Sequence, residues 1–188
     1  MIRMSEVPPE IGYYVAGFAD GEGSFNVVFR PRTDYHSPWK VSLCFNISQK
    51  DKVILALVKR YLQCGTLRGR PDGVWYFEVN NLTAIKENVI PFFRQYGFLS
   101  AKKKRDFAKF CRLAQILDGG EKYSPDNIRE VLRIRSDMND GGKRRYTDEM
   151  ILAKYDGRIL RDSTPNSSND EMIESELHGD MENQAEMS

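Results

Sequence analysis

The chain of 188 residues is 40% hydrophobic and 29% charged, which suits one globular domain of mixed secondary structure and excludes disordered and fibrous classes. No apolar run nears the ~20 residues that cross a bilayer, no secretory signal opens the chain, and Cys44, Cys64 and Cys111 form no CxxC pair, so an intracellular protein with no membrane partner, disulfide framework or zinc knuckle is expected. The net charge of +1 hides a division: residues 162–188 hold eight acids and no Lys or Arg, leaving 28 basic against 19 acidic residues in 1–161, a net of +9 that favours a polyanion such as nucleic acid.

Pro9, Glu10 in the first turn, and Gly21 and Gly23 past the end predict a helix over about Pro9 to Asp20. Gly17 lies in its middle, where Gly costs ~1 kcal/mol relative to Ala, and needs a packing reason. Phe25, Val27 and Phe29 then alternate with Ser24, Asn26, Val28 and Arg30, the period of a half-buried strand. Lys40 to Ser48 repeats the pattern, with Val41, Leu43, Phe45 and Ile47 inward and Lys40, Ser42, Cys44, Asn46 and Ser48 outward; a loop at 33–38 joins the two strands. Helical spacing of apolar residues over Asp51 to Gln63 predicts a second helix. A hairpin follows, Thr66 to Arg70 and Val74 to Asn80, turning through Pro71-Asp72-Gly73. In its second arm Trp75, Phe77 and Val79 take the buried side, Tyr76 and Glu78 the exposed one. Leu82 to Phe93 continues as a helix ending or bending near Pro91. Three more helices are predicted at 102–118, 125–139 and 147–160. The order αββαββα occurs once in a domain spanning 1–161, and residues 162–188 read as a disordered acidic tail.

The run Val15-Ala16-Gly17-Phe18-Ala19-Asp20-Gly21-Glu22-Gly23, followed by Ser24-Phe25, resembles the signature of the LAGLIDADG endonucleases, and the resemblance covers residues 10 to about 160. It implies an α+β fold, a four-stranded antiparallel saddle backed by helices. The implied activity is that of a site-specific homing endonuclease of the group I intron-encoded type, hydrolysing phosphodiester bonds of double-stranded DNA as a homodimer with Mg2+ or Mn2+. By that resemblance Glu22, with Gly21, holds the metal, Gln49 orders water near the scissile phosphate, and Lys102 steadies the charged transition state. Tyr13, Ala16, Gly17 and Asp20 would form the dimer interface, Asp20 in a structural role. Small residues at Ala16 and Gly17 would let two helix backbones approach closely and bring two carboxylates together at the two-fold axis, a setting of hard oxygen ligands that suits magnesium. With His36 and His178 the only histidines, any metal must be held by oxygen. The plain alternative makes Asp20 and Glu22 polar residues of a helix-ending turn.

Arg30, Arg32, Lys40, Ser42, Asn46, Arg68, Arg70 and Tyr76 form an outward face that can read base edges, with Tyr35 in the first loop and Lys104 in the Lys102-Lys103-Lys104-Arg105 run. Lys143 and Arg144, after Gly141-Gly142, look like a phosphate clamp. Eight or nine strand residues at ~3.3 Å each span ~28 Å. That length covers ~8 base pairs, so a dimer would read a near-palindromic site of ~20. Two rivals stay open: a maturase gripping group I intron RNA, and a regulator that binds DNA without cutting. The compartment expected is a bacterial cytoplasm or an organelle.

Overall fold

The computed structural model describes residues 2–33, 37–120, 123–138 and 145–162, with 156–162 as helical backbone alone. Met1–Tyr155 packs as one unit; of the other, Asp156–Ser188, only the end of a helix is described. The elements run α1 (Pro9–Glu22), β1 (Gly23–Pro31), β2 (Trp39–Gln49), α2 (Lys52–Leu62), β3 (Thr66–Gly69), β4 (Trp75–Val79), α3 (Leu82–Ala84), a π-helical turn (Ile85–Val89), α4 (Ile90–Tyr96), α5 (Ala101–Asp118), α6 (Pro125–Ser136) and α7 (Asp148–Asp162). The strands form one antiparallel sheet in the order β1-β2-β4-β3, so the α+β class and the αββαββα order are those expected. Tyr35, Lys143, Arg144 and the tail beyond Asp162 lie outside the described residues.

Period-two alternation builds the sheet as the sequence suggests. Phe25, Phe29, Val41, Leu43, Phe45, Ile47, Phe77 and Val79 are buried against the helices. Phe25 is the centre of an aromatic cluster, its ring 4.8 Å from Phe110, 5.1 Å from Phe45 and 5.8 Å from Phe98 between centroids. Phe93 joins it, 5.2 Å from Phe45 and 4.7 Å from Phe98. Mostly edge-on and tilted, such pairs add about 0.5–1.5 kcal/mol each beyond the area they bury. The cluster therefore ties β1, β2, α4 and α5 into one rigid body.

Three of the boundaries that differ from the sequence reading have a clear local cause. Helix α1 runs two residues past Asp20, because Gly21 keeps an ordinary helical backbone; the Gly23 amide closes the helix by donating to the Ala19 carbonyl. The chain then enters β1 at once. A Cβ on Gly23 would lie 2.6 Å from the Ala19 oxygen and 3.2 Å from the Phe45 ring, so only glycine permits so abrupt a junction. Pro91 does not end its helix, which continues to Tyr96. The π turn moves the amide of Ile90 onto the carbonyl of Ile85, and Pro91 follows as an early residue of the next segment, where its missing N–H costs little. Strand β3 stops at Gly69, leaving Arg70 in the hairpin turn, where its amide donates to the Val74 carbonyl at 2.9 Å.

Helix α1 is held to the start of α5 by Asp20. Its carboxylate accepts from the amides of Leu99 (3.0 Å) and Ser100 (2.9 Å) and from the Ser100 hydroxyl (2.5 Å). Ser100 is also the N-cap of α5, accepting from the Lys103 amide. Burial pushes the Asp20 carboxyl upward, but the bonds from Ser100 and Leu99, with the charge of Lys103, outweigh it and hold the group below the ordinary value of 3.8.

Two outcomes follow. Asp20→Ala should destabilise the protein by about 1–2 kcal/mol in urea melts at neutral pH, the figure being modest because the site is only partly buried. With a folded pKa below the unfolded one, this contribution is present above the ordinary value of 3.8 and fades as pH drops through the folded value, so variant and parent should converge in strong acid. Gly12→Ala should cost more, about 1–3 kcal/mol, since a Cβ there would sit 2.2 Å from the Tyr96 ring, whose hydroxyl donates to the Val7 carbonyl at 3.1 Å.

Candidate active site and nucleic-acid interface

Two acids two residues apart on a helix lie about 200° apart around its axis, and α1 uses that separation. Asp20 turns inward to the α5 start; Glu22 is exposed. No basic residue occupies the last turn of α1, so both carboxylates stand at the negative end of the helix dipole, an arrangement that a nearby cation relieves. Lys103 supplies one from within the protein. Its ammonium donates to the Gly23 carbonyl. Burial pushes it below the ordinary lysine value of 10.5, while Asp20, Asp106 and Glu22 push back and neighbouring Lys102 presses it further down.

Lys103 is the functional candidate that the sequence reading passed over. Four basic residues stand in a row at 102–105, and only the register of α5, set by Ser100 as N-cap, decides which one reaches α1. Lys102 and Lys104 are exposed on the same turn. Gln49 ends β2 opposite Trp75, on the parity of Phe45 and Ile47, and is half-buried. Because Gly23 pairs with Ile47, Gln49 lies at the same end of the sheet as Glu22.

Among the described residues no group of three or more His, Cys, Asp or Glu could enclose a metal ion. Asp20 has its oxygens occupied. Glu22 offers an exposed carboxylate beside the carbonyls at the end of α1, Gly21 among them, which is hard-oxygen chemistry suited to a divalent cation.

The exposed stripe of α1 runs through Tyr13, Tyr14, Gly17 and Gly21. Tyr13 and Tyr14 are 60% and 56% exposed, and a Cβ at Gly17 or Gly21 would meet nothing within 4 Å. Ala16 corrects an expectation: it is 2% exposed and packed in the protein's own core, because it lies about 100° from Gly17 on the helix and turns to the buried side.

The open face of the sheet carries the expected polar set. Arg30 pairs with Lys40, Val28 with Ser42, Asn26 with Cys44, and Ser24 with Asn46. On the other side Asn46 lies opposite Glu78, Ser48 opposite Tyr76, Thr66 opposite Glu78 and Arg68 opposite Tyr76. Arg70 donates to the Tyr76 hydroxyl at 2.5 Å and lies 5.2 Å from its ring centroid. Arg32, beyond β1, is half-buried, its amide donating to the Pro38 carbonyl at 2.9 Å. A cleft of about 460 Å³ separates this face from Arg145 and Tyr146, with Asn26, Arg30, Ser42 and Asn46 among its walls. No helix among the described residues is long and apolar enough to cross a membrane.

The LAGLIDADG endonuclease family model matches residues 15–114. A probable intron-encoded endonuclease 2 of Neurospora crassa is 26% identical over 68% of this chain and 29% of its own length. Homing endonuclease I-ApeII of Aeropyrum pernix is 32% identical over 55% of this chain and 62% of its own. The chain thus spans less than two thirds of either relative. Meganuclease I-SmaMI, solved bound to uncleavable DNA, aligns at 27% identity and a TM-score of 0.65 over 70% of this chain and 45% of that one. A second I-SmaMI structure, on uncleaved DNA with calcium ions present, has 20% identity and a TM-score of 0.67 over 80% of this chain and 49% of that one, and shows the fold alone. With the motif at the α1–β1 junction, the sheet order and the family match in agreement, the chain belongs to the LAGLIDADG endonuclease family.

Proposed function

We propose that this chain is a site-specific homing endonuclease that hydrolyses phosphodiester bonds in both strands of a long, near-palindromic DNA site as a homodimer. The observation that carries the reading is the position of Glu22: an exposed carboxylate at the negative end of α1, where the open basic sheet face begins. Family membership, the intron-encoded and homing endonucleases among its relatives, and the DNA-bound meganuclease of like fold support it.

Glu22 and the Gly21 carbonyl would hold Mg2+ or Mn2+, whose chemistry when bound is to offset the charge that builds on the phosphate oxygens. Lys103, and Lys102 beside it, put positive charge next to the same helix end and would steady a pentavalent phosphate. Gln49, at that end of the sheet, would orient water. Arg30, Lys40, Ser42, Asn46, Arg68, Arg70 and Tyr76 would face base edges, with Arg32, Tyr35, Lys104, Lys143 and Arg144 on bases or phosphates. The nine residues of β1 and eleven of β2 suit ~8–10 base pairs per protomer.

Dimerisation is supported by two glycines that the protomer does not need. Gly17 and Gly21 meet open space, yet each weakens α1 by ~1 kcal/mol relative to alanine; a second α1 packed backbone to backbone supplies the reason. The compartment proposed is one that holds DNA, a bacterial cytoplasm or an organelle. Glu22 beside Lys103 favours cutting over a non-cutting regulator, and nothing in the site speaks for intron RNA over DNA.

Glu22→Gln should abolish cleavage of a cognate site in magnesium while DNA binding stays within tenfold; retained cutting in a gel assay would remove the metal assignment. Gly17→Leu should leave the protomer's thermal unfolding within about 1 kcal/mol of the parent, because the side chain enters open space and Leu is a good helix former. It should nevertheless sediment as a monomer without double-strand cleavage. An active Gly17→Leu dimer would contradict the α1 interface.

A further inference from the structure

Glu78 is the only Asp or Glu in the four described strands, and it stands on an interior strand in the middle of the open face, between Asn46 on one side and Thr66 on the other. A carboxylate there weakens the attraction of that face for a polyanion, so a surface evolved only to grip phosphates has no use for it. It is not isolated. Arg68 Nη2 lies 3.6 Å from Glu78 Oε1, and the Asn80 amide donates to the same oxygen at 3.5 Å, which leaves Oε2 to accept from elsewhere. The Arg68 side chain is 70% exposed and that of Glu78 30% exposed.

We infer that Arg68 and Glu78 act as one unit that reads a single G·C base pair across both strands of bound DNA. The reading rests on the DNA-cutting function proposed above and deepens it. In the major groove a carboxylate can accept only from the amino groups of cytosine and adenine, and the guanidinium fork fits the N7 and O6 acceptors of guanine. A G·C pair presents guanine O6 and the cytosine amino group side by side on opposite strands, the same acceptor-next-to-donor order that Arg68 and Glu78 offer in reverse. At 3.6 Å the contact is an ion pair rather than a hydrogen bond, so the guanidinium donors remain for guanine. The ion pair also restrains Arg68, which would otherwise lose side-chain freedom on binding. Arg70 differs: its brace is the Tyr76 hydroxyl, and its nearest acid, Asp72, lies in the hairpin turn at 3.7 Å, so it has no carboxylate partner at the reading face.

The ordinary alternative is a surface ion pair of little consequence. Binding-site selection from a random duplex library, without divalent metal so that nothing is cut, separates the two. The full-length chain, Glu78→Gln and Arg68→Ala are run in parallel, with affinity for an unrelated duplex as a second readout. Both variants should lose preference at the same G·C position of each half-site, by about ten- to a hundredfold. Glu78→Gln should in addition bind unrelated DNA more tightly than the parent, because a repelling charge is gone, whereas Arg68→Ala should bind it less tightly. An unchanged Glu78→Gln profile, relaxation by the two variants at different base pairs, or an A·T pair at the shared position overturns the inference while leaving the DNA reading intact. If the parent itself enriches no sequence, the DNA reading fails and the pair falls with it.

Discussion

The direct passage from α1 into β1 is the constraint on which the rest of the molecule depends. With no loop between Glu22 and Gly23, the direction of the first strand and the position of the last helical turn are one variable. Two contacts set its value: the bare Cα of Gly23 against the Ala19 carbonyl and Phe45 ring, and the carboxylate of Asp20 bonded to the amides and hydroxyl that begin α5. The Phe25 cluster makes that setting stiff, because β1, β2, α4 and α5 share the same rings. A carboxylate at the end of α1 is thus held to the sheet's end without being itself in the core. Such rigidity is what a site needs when its groups must be held to within a fraction of an ångström.

The division of labour between Asp20 and Glu22 follows from helix geometry and solvation together. The acid that turns inward is partly desolvated, collects hydrogen bonds and becomes a structural anion; the one that turns outward stays exposed to solvent. Lys103 sits between them, bonded to the Gly23 carbonyl and within the field of both. It lowers the cost of leaving two carboxylates at the negative end of a helix dipole.

On the sheet, a different logic separates the two faces. Inward positions are selected for volume and are almost all apolar; outward ones carry arginine, lysine, asparagine and serine, with Arg68 paired to Glu78 across the strands and Arg70, in the hairpin turn, bonded to Tyr76. Braced side chains on a stiff sheet present donors at fixed spacing, which suits the regular repeat of a duplex. Arg135, bonded to Asp148 and the Tyr146 carbonyl, packs over Phe29 and fixes the start of α7 beside that sheet, so the helical addition extends the same rigid frame.

Much of this was readable in the residues. Period two in Phe25–Arg30 and Val41–Ser48, the helical spacing of Ile54 to Leu62 and the turn at Pro71-Asp72-Gly73 each have a local physical cause, and each appears where the pattern places it. The motif from Val15 to Gly23 named the family, since small residues and two acids at a helix end are visible without a fold. Other features had no local signal. Whether Gly21 stops a helix depends on what its neighbours pack against, and here the Phe45 ring and the Ala19 carbonyl place the break at Gly23 instead. Ala16 and Gly17 are equally small on paper, but only the burial of one and the exposure of the other assign the first to the core and the second to a surface. Among Lys102, Lys103 and Lys104, the selection of Lys103 came from the bonds of Ser100 to Asp20 and of Lys103 to the Gly23 carbonyl, contacts between residues eighty apart in the chain that no pattern along it contains. Secondary structure follows from neighbours in sequence; which acid is anchored, which is left exposed and which lysine lies beside them follows from neighbours in space.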